Sequence, residues 1–327
     1  MTDDSIERIG VGGGTPEGQN SAYLVDERVV VDPGPPTDDA WDDLLTGLER
    51  ADVSPTDLEA VLVSHWHADH AGLAPRLADA ATATLAMGTG DAPLVADYAT
   101  ERKRRLERDR ETMCRWGVPA DLAEAVVAGD TASTMPDTTS VERLADGDRI
   151  AGLEAIATPG HTLGHTAFAY EGDLLIGDAV LPTYTPNVGG SDTRTLAPET
   201  NAETVSDPSL ETDPLTAFLE TLDRLEDRSE RLLPGHGTAI ADERIATIRD
   251  HHHERTERVL RTLEAHEDDG DRVGATPWQL ACDLFDDLEG IHVKFGAGET
   301  AAHCRRLERD GVVDRVDTDP YRYGSLE

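Results

Sequence analysis

Cysteine is scarce in this chain of 327 residues, as are lysine and aromatic residues. The three cysteines, Cys114, Cys282 and Cys304, are odd in number and form no CxxC pair. This pattern argues against a disulfide framework and favours a reducing compartment. We expect the three side chains to be buried apolar groups.

Long apolar runs are also missing from the sequence. No stretch of about 18 apolar residues occurs, which excludes a typical transmembrane helix. The N-terminus, MTDDSIERIG, is acidic where a secretory signal would be basic and then apolar. The sequence therefore predicts a soluble, cytoplasmic protein with no membrane partner.

Basic residues are far fewer than acidic residues. The chain has 66 Asp and Glu against 29 Lys and Arg, a net formal charge of −37, and its lysines are Lys103 and Lys294. The acidic residues are spread along the whole chain, so the excess describes the entire surface. With 4% aromatic residues, the composition resembles that of proteins from salt-accumulating archaea. It predicts a halophilic protein whose charge suits its solvent, the alternative being a surface that repels nucleic acid.

Apolar segments alternate with helical patterns along the chain. SAYLV and RVVVD predict a hairpin around Asp26 and Glu27, and Thr37 can cap the amphipathic helix that follows. The segments LEAVLVS, ATATLAM, GLEAIAT, TAFAY, LLIGD and RLLPG predict strands. Polar residues suited to chemistry follow several of these strands, which is typical of an α/β fold with its site on loops.

One stretch, SHWHADHAG, concentrates such residues. His65 and His67 are two apart, so they point to one side of an extended segment, and a turn lets Asp69 and His70 face a second point. Further candidates at strand ends are His161, His165, Asp178 and His236. Each residue alone could be a structural polar group, but imidazoles with carboxylates suit zinc, or else iron or manganese. The set favours a metal site.

These segments, in order HxHxDH, TPGHTxGH, GD after a strand and PGHG, resemble the metallo-β-lactamase superfamily over about residues 6–242. They are most similar to its binuclear members, such as the hydroxyacylglutathione hydrolases (glyoxalase II). The resemblance implies an α/β fold, an αβ/βα four-layer sandwich with the site at one edge. It disfavours β-lactam hydrolysis, because no cysteine lies in a motif and Asp178 supplies a bridge that enzymes with a Cys ligand lack.

The resemblance also implies residue roles. The first metal would be held by His65, His67 and His161, the second by Asp69, His70 and His236, and Asp178 would bridge both. Asp32 and His165 would support the ligands from behind. The expected cofactor is a pair of Zn²⁺ ions, with Fe or Mn as alternatives.

Two such ions predict a hydrolase. They can lower the pKa of a bound water from about 15.7 toward 7, so we expect attack by metal-bound hydroxide. Asp69, which can both ligate and accept a proton, and the bridging Asp178 are the predicted catalytic residues. Because no GxSxG motif is present, no covalent intermediate is needed. The favoured substrate is an ester or a thioester, such as a hydroxyacylglutathione-like compound.

The C-terminal region forms a separate prediction. We assign residues 1–245 to the hydrolase domain, with a helical insertion at about 92–140, and residues 246–327 to a small second domain. Its three helices and a two-stranded segment around Asp317 to Pro320 resemble the winged-helix domain of the β-lactamase-like protein 2 group. The third helical segment mixes acidic and basic residues, so packing or homodimerisation is favoured over nucleic-acid contact. An RNA phosphodiesterase and a metal-dependent regulator stay open as alternatives.

Two charged or polar helical segments complete the candidates. From Arg102 to Arg115 seven basic residues stand against three acidic ones. Either this is a helix with i,i+4 ion pairs, or it is a lid in which Arg104 and Arg105 bind a small anionic substrate. The run from His251 to His253 cannot converge on one ion, because neighbours on a helix point about 100° apart. We expect a solvated helix face there.

Overall fold

A computed structural model of the chain describes residues 5–15, 18–195, 213–268 and 274–326. The strands in these ranges are β1 (Ile6–Thr15), β2 (Gly18–Val25), β3 (Val29–Val31), β4 (Ala60–Val63), β5 (Thr84–Gly88), β6 (Glu142–Leu144), β7 (Arg149–Ile150), β8 (Leu153–Ala157), β9 (Thr166–Tyr170), β10 (Asp173–Gly177), β11 (Arg231–Pro234), β12 (Val313–Thr318) and β13 (Tyr321–Ser325). The helices are α1 (Asp38–Arg50), α2 (Ala68–Ala71), α3 (Ala74–Ala81), α4 (Ala92–Ala96), α5 (Tyr98–Arg115), α6 (Ala120–Ala128), α7 (Pro214–Glu226), α8 (Arg244–Asp268), α9 (Pro277–Leu284) and α10 (Ile291–Arg309).

The chain divides into two compact units. Unit 1 consists of Met1–Arg102, Ala132–Pro186 and Thr221–Ile245. Unit 2 consists of Lys103–Thr131, Asn187–Glu220 and Ala246–Glu327. Most of the Arg-rich helix α5 is therefore grouped with the C-terminal region.

Unit 1 is built on two facing sheets. The first has the order β1-β2-β3-β4-β5-β6, and its strands β3 to β6 are parallel. The second has the order β11-β10-β9-β8-β7, in which only the β10 and β11 pair is parallel. Leu62 from the first sheet packs with Phe168 and Leu175 from the second in one buried cluster.

Helices cover the outer faces of these sheets. Leu44 and Leu48 of α1 and Leu77 of α3 pack on the first sheet in a second buried cluster. The end of α7 is fixed to the segment that follows β8, because the Thr221 hydroxyl donates to the Pro159 carbonyl at 2.9 Å. The result is the α/β sandwich predicted from the sequence.

Local sequence explains several of these elements. Asp26 and Glu27 adopt φ values of 50° and 56°, and this left-handed turn joins β2 to the antiparallel β3 as predicted. Thr37 caps α1 as expected, since its side chain accepts a hydrogen bond from the Ala40 N–H at 3.2 Å.

Unit 2 is mainly helical. Met113 and Trp116 at the end of α5 pack with Val126 of α6 and with Val293 and Ala297 of α10. A second cluster joins α8, α9 and α10 to the antiparallel hairpin of β12 and β13, through residues that include Val259, Leu280, Leu307, Val313 and Tyr323.

Two expectations about burial are wrong. His252 is 2% exposed, and its ring contacts Phe218 and His303, so the predicted solvated face does not extend to this residue. Cys304 is buried as expected, but Cys114 is half-buried and Cys282 is exposed. The burial of His252 arises from packing between helices that are distant in sequence.

Within the described ranges, no helix is both long and apolar enough to cross a bilayer.

Candidate metal centre

The candidate ligands of unit 1 collect at one edge of the two sheets. Asp32 directly follows β3, and His65 follows β4, its parallel neighbour. Asp178 and His236 follow the parallel strands β10 and β11. Because the carboxyl ends of parallel strands lie on the same side of a sheet, residues distant in sequence meet here. Backbone bonds close this edge, as the Thr166 N–H donates to the Ser64 carbonyl at 2.8 Å.

The first donor group consists of His65, His67 and His161. His65 Nε2 lies 2.9 Å from His67 Nδ1, and His161 Nε2 lies 3.1 Å from that same His67 atom. Nitrogen ligands of a tetrahedral zinc ion are separated by about 3.3 Å, given Zn–N distances of about 2.0–2.1 Å. The three imidazoles therefore have the spacing that one cation requires.

The second donor group consists of Asp69, His70 and His236. The short helix α2 begins after His67, so Asp69 and His70 turn away from the extended segment before them. Asp69 Oδ2 lies 3.4 Å from His70 Nε2 and 3.3 Å from His236 Nε2. These three donor atoms lie within 4.8 Å of one another.

Asp178 lies between the two groups. Its Oδ1 is 3.4 Å from His70 Nε2, and its Oδ2 is 3.5 Å from His236 Nε2 and 4.0 Å from His161 Nε2. Asp178 Oδ1 and His70 Nε2 are both buried without a hydrogen-bond partner. Buried polar atoms normally have partners, so two that face each other across a cluster of ligands fit a bound cation. The residues present suit a pair of metal ions.

Asp32 supports one imidazole in each group. The Ser64 hydroxyl donates to Asp32 Oδ2 at 2.6 Å and lies 3.0 Å from His65 Nδ1, while His70 Nδ1 lies 3.1 Å from the same Asp32 oxygen. A proton on each Nδ1 leaves the Nε2 lone pair of both rings for a metal. The carboxylate is 3% exposed, so water does not weaken these bonds.

His165 has both ring nitrogens engaged. Its Nε2 accepts a hydrogen bond from the Asp178 N–H at 3.1 Å, and its Nδ1 lies 2.7 Å from the Thr158 hydroxyl. The ring also stacks on His65, with centroids 5.0 Å apart. This arrangement suits a residue that orients the ligands Asp178 and His65 through contacts with their backbone and ring.

Two imidazoles of the first donor group, those of His65 and His67, are neutral at pH 7. Burial lowers the pKa of His65 well below its usual value, and the neighbouring His70 and His67 lower it further. Burial, followed by the neighbouring His161, lowers the pKa of His67 to about 3. Lone pairs on these two rings are available to a cation at neutral pH, since metal-bound imidazole is unprotonated.

The second donor group carries protons. Burial alone would lower the pKa of His70, but the Asp178 and Asp69 carboxylates raise it well above its usual value. The same carboxylates raise the pKa of His236 to about 9 against the effect of burial. In turn, His70 and His236 lower the pKa of both carboxylates, although burial acts in the opposite direction. Protons hold this group together, and cations would replace them.

Two residues of the site were missed by the sequence reasoning. The Asn20 side-chain amide donates to the Asp69 carbonyl at 3.0 Å and to Asp69 Oδ2 at 3.2 Å. Asp91 is fully buried beside the loops of the first group. Asn20 lies at a strand position with no distinctive pattern. The only available signal for Asp91 was its place after a strand, in GTGD.

Arg104 and Arg105, predicted to bind substrate, belong to α5 in unit 2. The Arg105 guanidinium pairs with Asp130 at 2.6 Å and with Asp109 at 3.4 Å, and its side chain is 14% exposed. Arg104 is exposed on the same helix. The two arginines therefore differ in environment.

Comparison with known proteins agrees with this geometry. The sequence profile of the Metallo-beta-lactamase superfamily matches residues 15–236. The chain belongs to this superfamily. The family predicted from the motifs is thereby confirmed, and so is its enzyme class, a metal-dependent hydrolase.

Individual members of the superfamily match over nearly the whole chain. The "Probable metallo-hydrolase YqjP" of Bacillus subtilis (strain 168) is 26% identical over 324 residues, which cover 96% of this chain and 95% of that protein. A metallo-beta-lactamase family protein of Thermus thermophilus has a TM-score of 0.74 at 28% identity, covering 98% of this chain and 99% of the other. A beta-lactamase domain protein of Burkholderia ambifaria has a TM-score of 0.70 at 22% identity, covering 99% and 93%, and supports the fold.

Proposed function

We propose that this metallo-hydrolase binds two zinc ions and hydrolyses a small anionic ester or thioester, such as a hydroxyacylglutathione-like compound. One observation supports this most directly: Asp178 lies within 4.0 Å of a donor nitrogen in the first group and of two in the second. Imidazole and carboxylate donors favour zinc, whereas iron and manganese accept the same set.

The residues around the site have different roles in hydrolysis. When bound, the cations would supply Lewis acidity and lower the pKa of a water toward neutrality. Asp69 is 36% exposed at the side chain, whereas Asp178 is 8% exposed. Asp69 is therefore the carboxylate that can take up a proton from an attacking water. Asn20 holds the Asp69 backbone and Oδ2 in place for this role.

Two candidate nucleophiles, Ser64 and Cys304, lie in environments that disfavour attack. The Ser64 hydroxyl, nearest to the ligands in sequence, donates to Asp32 and contacts His65. Burial raises the pKa of the Cys304 thiol, which disfavours the reactive thiolate. Direct attack by water is the simpler route, and it requires no covalent intermediate.

RNA phosphodiester cleavage is the second candidate, because three helices followed by a hairpin give the C-terminal region the order of a winged-helix domain. The third helix argues against base reading. Along α10 the buried residues are Val293, Lys294, Gly296, Ala297, Gly298, Thr300, Ala301, Ala302, His303, Cys304 and Leu307. A helix that enters a nucleic-acid groove must present a free face, so the small substrate is favoured.

The test is an activity panel on metal-loaded protein in molar KCl. The protein would be stripped with chelator, reloaded with zinc, iron or manganese, and assayed against thioesters, simple esters, lactones and short RNAs. We expect hydrolysis of anionic thioesters with about two zinc ions per chain by elemental analysis. RNA cleavage without thioester hydrolysis would transfer the proposal to the second candidate. Full activity without metal would reject both.

A further inference from the structure

Asp91 is a buried carboxylate that lies outside both donor groups. It follows β5, immediately before α4, and is 0% exposed. Burying a carboxylate is costly unless hydrogen bonds compensate for the lost water. The partners of this side chain therefore indicate what it is for.

Its oxygens accept hydrogen bonds from two separate loops. Oδ2 accepts from the Thr162 hydroxyl at 2.6 Å and from the Trp66 N–H at 3.2 Å, while Oδ1 accepts from the Gly164 N–H at 2.9 Å. Trp66 belongs to the loop HWHADH, whereas Thr162 and Gly164 belong to the loop HTLGH. Bonds to an ionised acceptor are roughly twice as strong as neutral ones, so the carboxylate ties the two loops together.

The bonded atoms adjoin the ligands of the first donor group. Trp66 lies between His65 and His67, and Thr162 is the residue after His161. The distance that decides whether this group fits one cation is the 3.1 Å between His67 Nδ1 and His161 Nε2. These two ligands come from the two loops that Asp91 joins.

The backbones of β5 and the second loop also meet closely at this point. A Cβ atom on Gly164 would lie 2.2 Å from the Asp91 nitrogen and 2.5 Å from the Gly90 carbonyl carbon. Only a glycine permits this approach. Asp91 therefore lies where two backbone segments are tightly packed, and this packing limits how far either segment can move.

We propose that Asp91 is a positioning residue for the first cation, because it fixes the separation of the loop that carries His65 and His67 from the loop that carries His161. This proposal depends on the dinuclear site proposed above. Asp91 accepts the hydrogen bonds described above from Trp66, Thr162 and Gly164, and Asp69, His70 and His236 all lie outside the loop that carries His161. Its loss should therefore weaken one metal site and spare the other.

The experiment measures Co²⁺ affinity by competition with a chromophoric chelator in two backgrounds. His236→Ala leaves the first donor group complete, and His161→Ala leaves the second group complete. In the first background, Asp91→Asn should weaken Co²⁺ binding by about 10 to 100-fold, the usual effect of removing a supporting partner. In the second, the affinity should stay within about threefold, far below the loss expected of a supporting partner.

Thr162 provides a milder test with a matched control. Thr162→Val removes the hydroxyl donor and should weaken binding at the first group, whereas Thr162→Ser keeps the donor and should restore it. The control is Thr193→Val in unit 2, since the Thr193 hydroxyl donates at 2.6 Å to another buried carboxylate, Asp109. It should cost similar stability without changing Co²⁺ affinity.

Three outcomes would overturn the proposal. They are equal losses at both donor groups, unchanged affinity at the first group in Asp91→Asn and Thr162→Val, and equal effects of the Thr162 and Thr193 variants. Failure of the wild-type chain to bind Co²⁺ would instead reject the dinuclear site itself.

Discussion

At the scale of single residues, Asp178 and His165 are neighbours with different contacts. Asp178 has its carboxylate oxygens directed at imidazoles of both donor groups. His165 reaches only the Asp178 backbone N–H and the Thr158 hydroxyl with its nitrogens. The first residue can touch two cations, whereas the second acts through the first.

Replacing these two residues should therefore have unequal effects. We expect Asp178→Ala to abolish binding of at least one cation and nearly all activity, while His165→Ala should lower metal affinity or kcat by about 10 to 100-fold. Elemental analysis and kcat would be measured on the same preparations. Asp178→Asn is the control for side-chain size, because it removes the charge and keeps the volume. Equal losses in the Asp178→Ala and His165→Ala proteins would show that their roles are wrongly assigned.

The protonated histidines give a second prediction, on pH. At pH 7 His70 and His236 hold protons, since the pKa of His236 is about 9 and that of His70 is raised well above its usual value. A metal must displace these protons, so apparent affinity should rise with pH and level off once both residues are deprotonated, which for His236 is above about 9.

Calorimetric titration of the metal in buffers of different ionisation enthalpy would count the protons. We expect up to about two released per dinuclear site at pH 7, and fewer in a His236→Ala protein. His67, with a pKa of about 3, should contribute none. Metal binding that releases no proton at pH 7 would contradict the assignment of charge to the second group.

The predictability of the site also varies residue by residue. His65, His67 and His161 were identifiable as candidates because histidines recur at strand ends, and the resemblance to the superfamily grouped them as one ligand set. Asn20 and Asp91 were not, because a single hydrogen-bonding side chain leaves no periodic pattern. Their role depends on loops that approach only after folding.

At the scale of elements, α5 contains two adjacent arginines with different surroundings. Arg105 is engaged with Asp109 and Asp130, whereas Arg104 is exposed. We therefore predict that Arg104→Gln raises KM for an anionic thioester and leaves KM for a neutral ester unchanged. The free energy of unfolding should change by less than about 0.5 kcal/mol. Arg105→Gln should instead destabilise the protein by about 1–3 kcal/mol, because its carboxylate partners lose a donor.

Kinetics at low salt and thermal unfolding would separate the two effects. The KM effect of Arg104→Gln should shrink as salt rises, since exposed charges are screened within about 3 Å at 1 M. If neither variant changes the ratio of KM values between anionic and neutral substrates, α5 has no part in selecting the substrate.

Local elements were more predictable than their grouping. The β2 and β3 hairpin, the cap of α1 and the helical character of the insertion follow from turn residues and apolar spacing. In contrast, nothing local shows that residues 103–131 pack with α10, or that His252 is buried against His303. These contacts join segments more than 40 residues apart, so they depend on tertiary packing.

At the scale of the whole molecule, the net charge of −37 dominates. Like charges on one surface repel, and this repulsion destabilises the compact state. The screening length falls from about 10 Å at 0.1 M salt to about 3 Å at 1 M. The folded chain should therefore gain stability from salt.

We predict that Tm rises steadily from 0.1 M to molar KCl. Calorimetry of the metal-loaded protein in KCl and in NaCl at equal ionic strength would measure the rise, with sucrose as an uncharged control. Screening alone should make the two salts nearly equivalent. A Tm that is constant or falls with salt would remove the halophilic interpretation of the composition.

One carboxylate oxygen, Asp32 Oδ2, is connected by hydrogen bonds to both donor groups. Asp32 Oδ2 contacts both the Ser64 hydroxyl behind His65 and the His70 ring. A cation on His70 makes the His70 Nδ1–H a stronger donor. This stronger bond draws electron density from Asp32 Oδ2, so the hydrogen bond between Asp32 Oδ2 and the Ser64 hydroxyl weakens. Linkage is reciprocal, so a cation on His65 should act on His70 to the same extent. The two ions should therefore bind with negative cooperativity, and stepwise dissociation constants in wild-type and Asp32→Asn proteins would measure the coupling.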